Sequence, residues 1–573
     1  MARSFETLVG LVETRAEENS DETAYVHLDQ GEEPRASLTY AELERRAKSL
    51  AAYLQGKAAP GDRVLLVFPN GLEFIVAFFG CLFAGLIAVP VAPPRTKQVV
   101  ARLLAVAASA QAKVVMTSAA LRTELARRVG EPGETGAEWL FLEDIPDNLE
   151  TVWRRVSPKS GDLAVLQFTS GSTGNPKGVQ LSHANILHNC HLLELACGSA
   201  PDLRLVSWLP NFHDWGLIGC LMFPLLIARP SYTFDPSAFL FRPKRWLDAM
   251  SRFKGTLTCS PNFGYEMCIR QIAEKDTESL DLSAWNMAMV GAEPVRKATI
   301  ERFVERFGRY GFRKEAFYPC YGLAESTLIV SGGNRMTPTI FAKVNRQALD
   351  RGEVVMQSAS STDEARDLIG CGHPIADQKV RIINPETKRA CAPNEIGEIW
   401  ISGPSVAQGY WNEPELSART FANVPADETN ARYLRTGDLG FLRDSELFIC
   451  GRLKDVIIKA GHNHFAEDIE YTVARSHPAL RADCCAAFGI DAAGAERLVI
   501  VQELDYGSKL EPSLAIGSIQ QAISKEHEVM ADAIAILKPG SLEKTSSGKV
   551  RRQRTKQMFL ANELPTLGIW KSW

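Results

Sequence analysis

The sequence predicts an α/β protein with a large N-terminal domain of layered α/β subdomains, a small β subdomain and a small, mobile α+β C-terminal domain. Three observations support this fold class: strand-like runs alternate with helical patterns, the pattern changes to short β segments after Ile375, and a new α/β pattern begins near Asp455. The chain has 573 residues. Single cores rarely grow beyond roughly 250 to 300 residues, so more than one domain is expected.

The alternation in the first part of the chain predicts parallel strands connected by helices. One helical pattern covers residues 40–55, where apolar residues recur on one face. The strand-like runs are VLLVF at 64–68, AKVVMTS at 112–118 and LAVLQFTS at 163–170.

Two apolar segments near the N-terminus need separate interpretation. The first 20 residues have helical apolar spacing without the features of a signal peptide, which predicts a first surface helix. Residues 72–91 reach the roughly 20-residue minimum for a membrane span. They contain Glu73 and Pro90 and follow a strand-like run, so we predict a buried core helix, with a membrane span as the alternative.

The β-rich texture after Ile375 comes from the short runs VRIIN, GEIWISG and ELFICG, separated by turn residues. A turn glycine and charged residues at 451–455 then mark a boundary. We therefore predict two domains, residues 1–453 and residues 454–573.

Composition excludes some classes of partner. The net charge of −4 comes from 64 basic and 68 acidic residues without a basic block, so nucleic acid is not an expected partner. The 12 cysteines have no zinc-type spacing, and reduced thiols in the cytoplasm are expected.

Residues 168–179 read FTSGSTGNPKGV and follow a strand-like run. Small hydroxyl residues alternate with glycines here, so backbone N–H groups and hydroxyls can surround phosphate oxygens without Cβ clashes. The spacing is not that of a Walker A loop. From the residues alone, the segment is a phosphate-binding loop or a flexible turn.

Three other motifs also allow a chemical and a structural interpretation. Glu325, in YGLAES, could bind Mg²⁺ or begin a helix. Asp438, in TGD, could accept from a ribose diol or lie in an ordinary turn. His213, in WLPNFHDWGLIG, could act near a reacting carboxylate or be a core histidine. The apolar run after Asp214 suits a fatty chain better than an α-ammonium, which is costly to bury unpaired.

Lys549 lies in SLEKTSSGKVRR, residues 541–552. A lysine in a polar Gly/Ser-rich loop is usually solvated. The alternative is that its ammonium reaches into the phosphate loop far upstream in the sequence.

These segments, with YLRTGDLG at 433–440 and GRLKDVIIKAGHNHFAEDIE at 451–470, resemble the signature set of adenylate-forming ligases: acyl-CoA synthetases, luciferases and peptide-synthetase adenylation domains. The chain most resembles the branch called fatty acyl-AMP ligases. The resemblance implies ATP and Mg²⁺ as cofactors, a medium- to long-chain fatty acid as substrate, and a C-terminal domain that turns about Lys454.

The resemblance also implies roles for individual residues. The ATP phosphates are expected to contact Thr169, Ser170, Gly171, Ser172, Thr173, Gly174 and Lys177. The rest of the nucleotide is expected to contact Gly291, Ala292, Glu293, Tyr321, Gly322, Asp438 and Arg452. The implied catalytic residues are Lys549, His213 and Glu325, with Glu325 also the Mg²⁺ ligand, and the implied acyl pocket contains Trp215, Gly216 and Ile218.

The acyl acceptor is the main open choice. A segment within about residues 328–370 resembles the insertion that marks fatty acyl-AMP ligases, which pass the acyl group to the phosphopantetheine of an acyl carrier protein. A tolerated surface loop is the other interpretation. We expect an acyl carrier protein, or the carrier domain of a polyketide or peptide synthase, as the acyl acceptor. A fatty acyl-CoA synthetase that uses free CoA is the alternative, and a catalytically silent nucleotide-binding protein is a weaker one.

Overall fold

The computed structural model describes residues 5–94, 96–129, 136–169, 176–198, 201–358, 365–429, 431–459, 462–492, 495–545 and 548–573. The α-helices are α1 (Leu8–Glu18), α2 (Tyr40–Leu54), α3 (Leu72–Phe83), α4 (Lys97–Ala110), α5 (Arg122–Val129), α6 (His183–Cys197), α7 (Phe223–Leu226), α8 (Pro236–Phe241), α9 (Lys244–Arg252), α10 (Asn262–Gln271), α11 (Lys297–Phe307), α12 (Arg346–Asp350), α13 (Pro414–Phe421), α14 (Ala466–Arg475), α15 (Pro512–His527) and α16 (Arg552–Leu560).

The strands are β1 (Thr23–Asp29), β2 (Glu33–Thr39), β3 (Arg63–Val67), β4 (Ile87–Val91), β5 (Val114–Thr117), β6 (Glu138–Phe141), β7 (Leu163–Thr169), β8 (Lys177–Ser182), β9 (Leu205–Ser207), β10 (Ser231–Thr233), β11 (Leu257–Ser260), β12 (Met287–Val290), β13 (Phe317–Gly322), β14 (Ile329–Gly332), β15 (Phe341–Asn345), β16 (Ala365–Ile369), β17 (His373–Pro374), β18 (Lys379–Ile383), β19 (Gly397–Ser402), β20 (Leu434–Arg443), β21 (Glu446–Arg452), β22 (Val456–Lys459), β23 (His462–Phe465), β24 (Leu480–Ala492), β25 (Ala495–Leu504), β26 (Ala533–Leu537) and β27 (Thr566–Lys571).

Two large sheets form the first part of the chain. One has the order β6-β5-β3-β4-β7-β8 and the other the order β17-β14-β13-β12-β11-β9-β10-β1-β2. Pairing in the interior of both sheets is parallel, as predicted. In β3, Val64 and Leu66 join one hydrophobic cluster while Leu65 and Val67 join another. Helices therefore cover both faces of the sheet, which is why the run is continuously apolar.

The predictions for the two apolar segments near the N-terminus, the first 20 residues and residues 72–91, agree with the structure to different extents. Helix α1 is confirmed and buries four apolar side chains on one face. The prediction of a buried core helix over residues 72–91 is correct only for its first part. Helix α3 is buried except at Glu73, the chain then turns at Gly85 with a φ of +76°, and β4 follows. Glycine adopts this left-handed conformation without strain, so the apolar run divides between a helix and a strand.

None of the helices in the described ranges is long and apolar enough to cross a membrane.

The predicted β subdomain is a four-stranded antiparallel sheet of order β18-β19-β20-β21. The C-terminal sheet has the order β24-β25-β26-β27, with α15 packed on it. Its apolar side chains form two hydrophobic clusters, one of which also includes Phe559 of α16. We call residues 1–453 the large lobe and residues 454–573 the small lobe, following the division that the sequence predicts.

Candidate active site

The candidate site lies where neighbouring strands of the nine-stranded sheet end. Strand β9 pairs in parallel with β11, β11 with β12, and β12 with β13. The segments at or just beyond the ends of these strands include residues 208–214, 291–293 and 321–325. They hold seven of the predicted site residues: His213, Gly291, Ala292, Glu293, Tyr321, Gly322 and Glu325. Ligands of open α/β sheets usually bind beyond such strand ends.

The predicted ribose contacts, Asp438 and Arg452, lie opposite each other on β20 and β21. The buried Asp438 carboxylate accepts a hydrogen bond from Tyr321 Oη at 2.8 Å and pairs with Arg452 Nε at 3.1 Å. The charge of Asp438 raises the pKa of Arg452 above its ordinary value. Burial, followed by Asp438, raises the pKa of Tyr321. The three side chains form one polar cluster at the end of β13.

Glu325, the predicted Mg²⁺ ligand, is positioned by Tyr410. The Tyr410 hydroxyl donates to Glu325 Oε1 at 2.9 Å, and the ammonium of Lys177 lies 5.3 Å from the centre of the tyrosine ring. Burial, followed by the Glu325 charge, raises the pKa of Tyr410. One aromatic side chain therefore contacts both a predicted phosphate ligand and the predicted metal ligand.

The turn after Glu325 is fixed by the buried side chain of Asn189 on α6. Its amide donates to the carbonyls of Ser326 at 3.3 Å and Ile329 at 2.9 Å, and its oxygen accepts from the Ile329 N–H at 3.0 Å. Thr327 has a φ of +68°, which is unfavourable for a β-branched residue. Its hydroxyl donates to the Ser405 carbonyl at 2.6 Å. These bonds hold a strained backbone in one conformation beside Glu325.

Lys549 of the small lobe contacts the large lobe, where its ammonium donates to the carbonyl of Ala292. Ala292 has a φ of +62°. The neighbouring Glu293 accepts from the Phe263 N–H at 2.6 Å. Burial raises the pKa of Glu293 to about 7, although Lys549 opposes the shift. Burial, followed by the charge of Arg452, lowers the pKa of Lys549. The loop of the small lobe is therefore docked among the predicted nucleotide-binding residues.

His213 is paired with Asp214, with 2.5 Å between His213 Nδ1 and Asp214 Oδ1. Asp214 also accepts from the Trp215 N–H at 2.6 Å. Burial opposes ionisation of Asp214, but the charge of His213 and these hydrogen bonds lower its pKa overall. The Lys549 charge contributes to the same shift. His213 is thus held by its neighbour near the docked lysine.

The predicted acyl-pocket residues lie in a π-helical segment, Trp215–Met222, in which every side chain is buried. π-Helical turns are rare and often occur at functional sites. A Cβ atom on Gly216 would lie 2.0 Å from the carbonyl oxygen of Pro210, so this position requires glycine. Trp215, Gly216 and Ile218 all belong to the hydrophobic core or its backbone at this end of the sheet.

Further contacts hold the two lobes together. Asp468 of α14 pairs with Arg366 Nε at 2.9 Å and with Arg296 at 3.3 Å. Arg346 of α12 donates to the Glu526 carbonyl at 2.6 Å. Arg346 and Arg366 belong to the segment predicted as an insertion, and that segment therefore contacts the small lobe.

The phosphate loop itself falls mostly outside the described residues. The predicted phosphate contacts that lie outside the described residues are Ser170, Gly171, Ser172, Thr173 and Gly174. Thr169 and Lys177 are described and pair across β7 and β8. They form the base of the hairpin that carries the loop.

Sequence reasoning missed Tyr410, Asn189 and Asp468. Tyr410 and Glu325 are 85 residues apart in the sequence, and Asn189 is more than 130 residues from the turn that it holds. No local pattern signals such contacts. The available signal for Tyr410 was the string QGYW at residues 408–411, which resembles the same family but gives the tyrosine no role.

Comparison with known proteins gives a consistent result. The family model described as "AMP-binding enzyme" matches residues 12–411, and one described as "Disco-interacting protein 2-like, AMP domain" matches residues 454–568. The chain is 41% identical to the medium-chain-fatty-acid–[acyl-carrier-protein] ligase JamA of Moorena producens over 99% of this chain and 97% of that protein. It is 34% identical to the long-chain-fatty-acid–AMP ligase FadD23 of Mycobacterium tuberculosis, with 96% and 95% covered.

Among solved structures, the chain resembles the fatty acyl-adenylate ligase of Legionella pneumophila in complex with acyl adenylate and pyrophosphate. The TM-score is 0.77 and the identity 37%, with 99% of this chain and 98% of that chain covered. The predicted α/β fold class is confirmed by this similarity and by the sheets themselves.

Proposed function

Because the chain belongs to the AMP-binding enzyme family, we propose that it activates a medium- to long-chain fatty acid with ATP and then transfers the acyl group to the phosphopantetheine thiol of an acyl carrier protein. The names of the relatives support this substrate and acceptor. The observation that carries the proposal is the contact of Lys549 with the Ala292 carbonyl, because it brings a small-lobe cation to the predicted nucleotide site.

In the first half-reaction, a carboxylate oxygen of the fatty acid attacks the α-phosphorus of ATP and pyrophosphate leaves. Negative charge develops on phosphate oxygens, so catalysis depends on positioned cations and hydrogen-bond donors. Lys549 supplies the cation from the small lobe. Asp438 accepts from the ribose hydroxyls, with Arg452 and Tyr321 holding its carboxylate in position.

Mg²⁺ is expected to bind at Glu325 and to neutralise charge on the ATP phosphates. In the described residues, no group of three or more His, Cys, Asp or Glu side chains could hold a metal ion. A single carboxylate agrees with the behaviour of Mg²⁺, which usually takes one or two protein carboxylates and completes its shell with water and phosphate. The Tyr410 hydroxyl donates to Glu325 Oε1 and so fixes the carboxylate. We expect the other oxygen, Oε2, to be the one that binds the metal ion.

The acyl chain is expected to lie against the apolar segment after Asp214. Each buried methylene contributes about 0.8 kcal/mol, so roughly ten of them dominate binding. One methylene more or fewer therefore changes the free energy of binding by only about 0.8 kcal/mol, a small part of the total. The enzyme should therefore accept a range of chain lengths.

In the second half-reaction, the small lobe turns about Lys454 and withdraws Lys549, so that the carrier thiol can reach the acyl adenylate. Burial, followed by the charge of Arg452, lowers the pKa of Lys454. Lys454 therefore lies near Arg452 and Asp438, at the point where the chain passes from β21 into the small lobe. We also propose a cytoplasmic location, where all twelve cysteines would remain free as they are here.

The proposal is tested by following a labelled acyl chain from ATP to either holo-carrier protein or free CoA, over a panel of fatty acids. We expect transfer to the holo-carrier to be at least about tenfold faster, a ratio that corresponds to ~1.4 kcal/mol. The apo-carrier, which lacks phosphopantetheine, is the control. Faster transfer to CoA would identify an acyl-CoA synthetase, and ATP binding without pyrophosphate release would identify a silent nucleotide-binding protein.

A further inference from the structure

Three polar side chains on one face of α6 contact two segments beside the predicted metal ligand. Asn185, His188 and Asn189 are three and four residues apart, a spacing that brings side chains to the same side of a helix. Asn189 holds the turn after Glu325, and the other two contact residues 404–406. This face of α6 therefore reaches both parts of the chain that surround the predicted metal ligand.

Residues 404–410, which we call the tyrosine segment, contact Glu325 at two points. The Ala407 N–H donates to the Glu325 carbonyl at 2.9 Å. The Tyr410 hydroxyl donates to the Glu325 carboxylate, also at 2.9 Å. Because the segment is bonded to both the backbone and the side chain of Glu325, the carboxylate depends on where the segment lies.

His188 connects the tyrosine segment to the protein surface through a buried serine. Its Nδ1 lies 2.7 Å from Ser405 Oγ, and its Nε2 lies 3.0 Å from Asp377 Oδ1. Ser405 is fully buried, whereas 56% of the Asp377 side chain is exposed. Asn189 Nδ2 also donates to Ser405 Oγ, at 3.0 Å. The Ser405 hydroxyl is thus held between two side chains of α6.

The direction of these hydrogen bonds follows from the Asn189 amide. Its nitrogen also faces carbonyl oxygens of the turn after Glu325, so this nitrogen donates to Ser405 Oγ. The serine proton then goes to His188 Nδ1, and the proton on His188 Nε2 goes to Asp377. Without the Nδ1 acceptor, the proton of the buried hydroxyl would lose its partner, which is costly in free energy.

We propose that His188 is a positioning residue for adenylation. By accepting from Ser405 it fixes the tyrosine segment, and through that segment it holds the Glu325 carboxylate in the orientation that binds Mg²⁺. The proposal rests on the proposed function and on the predicted role of Glu325. Because His188 acts through Ser405 and Tyr410, its effect should fall on metal binding rather than on the affinity for the fatty acid.

The test uses two substitutions that each keep one end of the imidazole. His188→Asn places its amide near the position of Nδ1, where it can still accept from Ser405. The longer side chain of His188→Gln places its amide near the position of Nε2, facing Asp377. We expect His188→Gln to raise the Mg²⁺ concentration for half-maximal ATP–pyrophosphate exchange by about tenfold, and His188→Asn to stay within about twofold of the wild type. The KM for the fatty acid should be unchanged in both variants.

The matched controls are His191→Asn and His191→Gln. His191 lies one turn further along α6, pairs with Glu194 at 3.0 Å and has 43% of its side chain exposed. Neither control should change the Mg²⁺ dependence. Equal Mg²⁺ dependence in the two His188 variants, whether normal or impaired, would overturn the proposal. A larger effect of His188→Asn than of His188→Gln would also overturn it, because the contact with Asp377 would then be the important one.

Ser405→Ala tests whether the effect passes through the serine. Substitutions of residues that share one hydrogen-bonded network do not have additive effects. In the Ser405→Ala background, His188→Gln should therefore raise the half-maximal Mg²⁺ concentration by less than about twofold further. A further rise as large as in the wild-type background would overturn the proposed route. If Ser405→Ala lowers the Tm too far for assay, the comparison of His188→Asn with His188→Gln decides alone.

A binding measurement separates this proposal from the proposed function. Binding of Mn²⁺ is measured by electron paramagnetic resonance in the presence of a non-hydrolysable ATP analogue, so that no turnover is needed. If the wild type forms no acyl adenylate but binds Mn²⁺ more tightly than His188→Gln does, the positioning role stands and the function fails. If adenylation proceeds and both proteins bind Mn²⁺ equally, the positioning role fails and the function stands.

Discussion

The two halves of the candidate site are held in different ways. In the large lobe, Asp438 is held by Tyr321 and Arg452, and Glu325 is held by Tyr410, all of them side chains of the same lobe. The small lobe contributes Lys549, whose ammonium donates a hydrogen bond to the Ala292 carbonyl of the large lobe. The large-lobe half is therefore preorganised, whereas the small-lobe half depends on docking.

This difference has a chemical reason. A site that performs two reactions in sequence needs one part that keeps the adenylate in place and another that can leave. Preorganised groups need no rearrangement at the moment of reaction. A docked group can be exchanged for the second substrate, because it leaves with its lobe when the contacts between the lobes are broken. The comparison predicts that substitutions in the two halves will affect the two half-reactions differently.

The largest effect is expected for Lys549→Ala. Loss of one preorganised donor in other enzymes slows the reaction by about 10²- to 10³-fold, and we expect adenylation to fall at least that much. Transfer from supplied acyl adenylate should be nearly unchanged, since Lys549 is withdrawn in that step. The measurement is ATP–pyrophosphate exchange. Exchange within about threefold of the wild-type rate would refute this role.

The next largest effect is expected for Lys454→Pro. Proline fixes φ and removes a backbone donor, so the predicted hinge should lose its freedom to turn. Adenylate formation should remain close to the wild-type rate, while transfer to the carrier should fall by about 10²-fold, as misplaced catalytic groups do. Equal losses in the two half-reactions would show that the substitution damages the fold instead.

A smaller effect is expected for Tyr410→Phe. The substitution removes the hydroxyl that holds Glu325, so kcat/KM for adenylation should fall by about tenfold, or ~1.4 kcal/mol. The Mg²⁺ concentration for half-maximal activity should rise. Tyr310→Phe is the control, because its hydroxyl contacts Thr277 at 2.6 Å in another part of the large lobe. If both variants show the same Mg²⁺ dependence, Tyr410 does not position the metal ligand.

The smallest effect concerns the pH dependence of docking. Burial raises the pKa of Glu293 to about 7, so its carboxylate becomes ionised as the pH rises through about 7 and then attracts Lys549. The kcat/KM for adenylation should therefore rise over this range, and Glu293→Gln should remove the rise. A pH profile that is the same in both proteins would contradict this role.

The same shift has the opposite effect on stability. A carboxyl whose pKa is raised on folding stabilises the fold below its unfolded pKa and loses this contribution as the pH rises through about 7. The free energy of unfolding of the wild type should thus fall more steeply between about pH 4.5 and about pH 7, the unfolded and folded pKa values of Glu293, than that of Glu293→Gln.

Much of the fold could be predicted from the sequence because its signals are local. The pattern at residues 40–55 predicted α2 to within one residue, since helical spacing repeats over its whole length. The run at 72–91 misled because it is apolar throughout except at Glu73, and the turn at Gly85 divides it into α3 and β4. The π-helical form of Trp215–Met222 also depends on tertiary packing, which single-residue patterns do not report.

The residues of the candidate site that lie in sequence motifs could be predicted, but the residues that hold them in position could not. Asp438, Arg452 and Lys549 stand in strings that resemble a known family, so they could be named from the sequence. Tyr410 and Asn189 act through contacts between distant parts of the chain, which sequence spacing cannot indicate. The residues of the phosphate loop from 170 to 174 remain predictions.

The most direct test of the account measures the distance between the two lobes. Spin labels on cysteines that replace Phe241 of the large lobe and Tyr506 of the small lobe would report it, because these side chains are 83% and 68% exposed. We predict one distance with ATP, when Lys549 is docked, and a second distance with a stable acyl-adenylate analogue and holo-carrier protein. A single distance that stays the same under both conditions would contradict a small lobe that delivers Lys549 and then withdraws it.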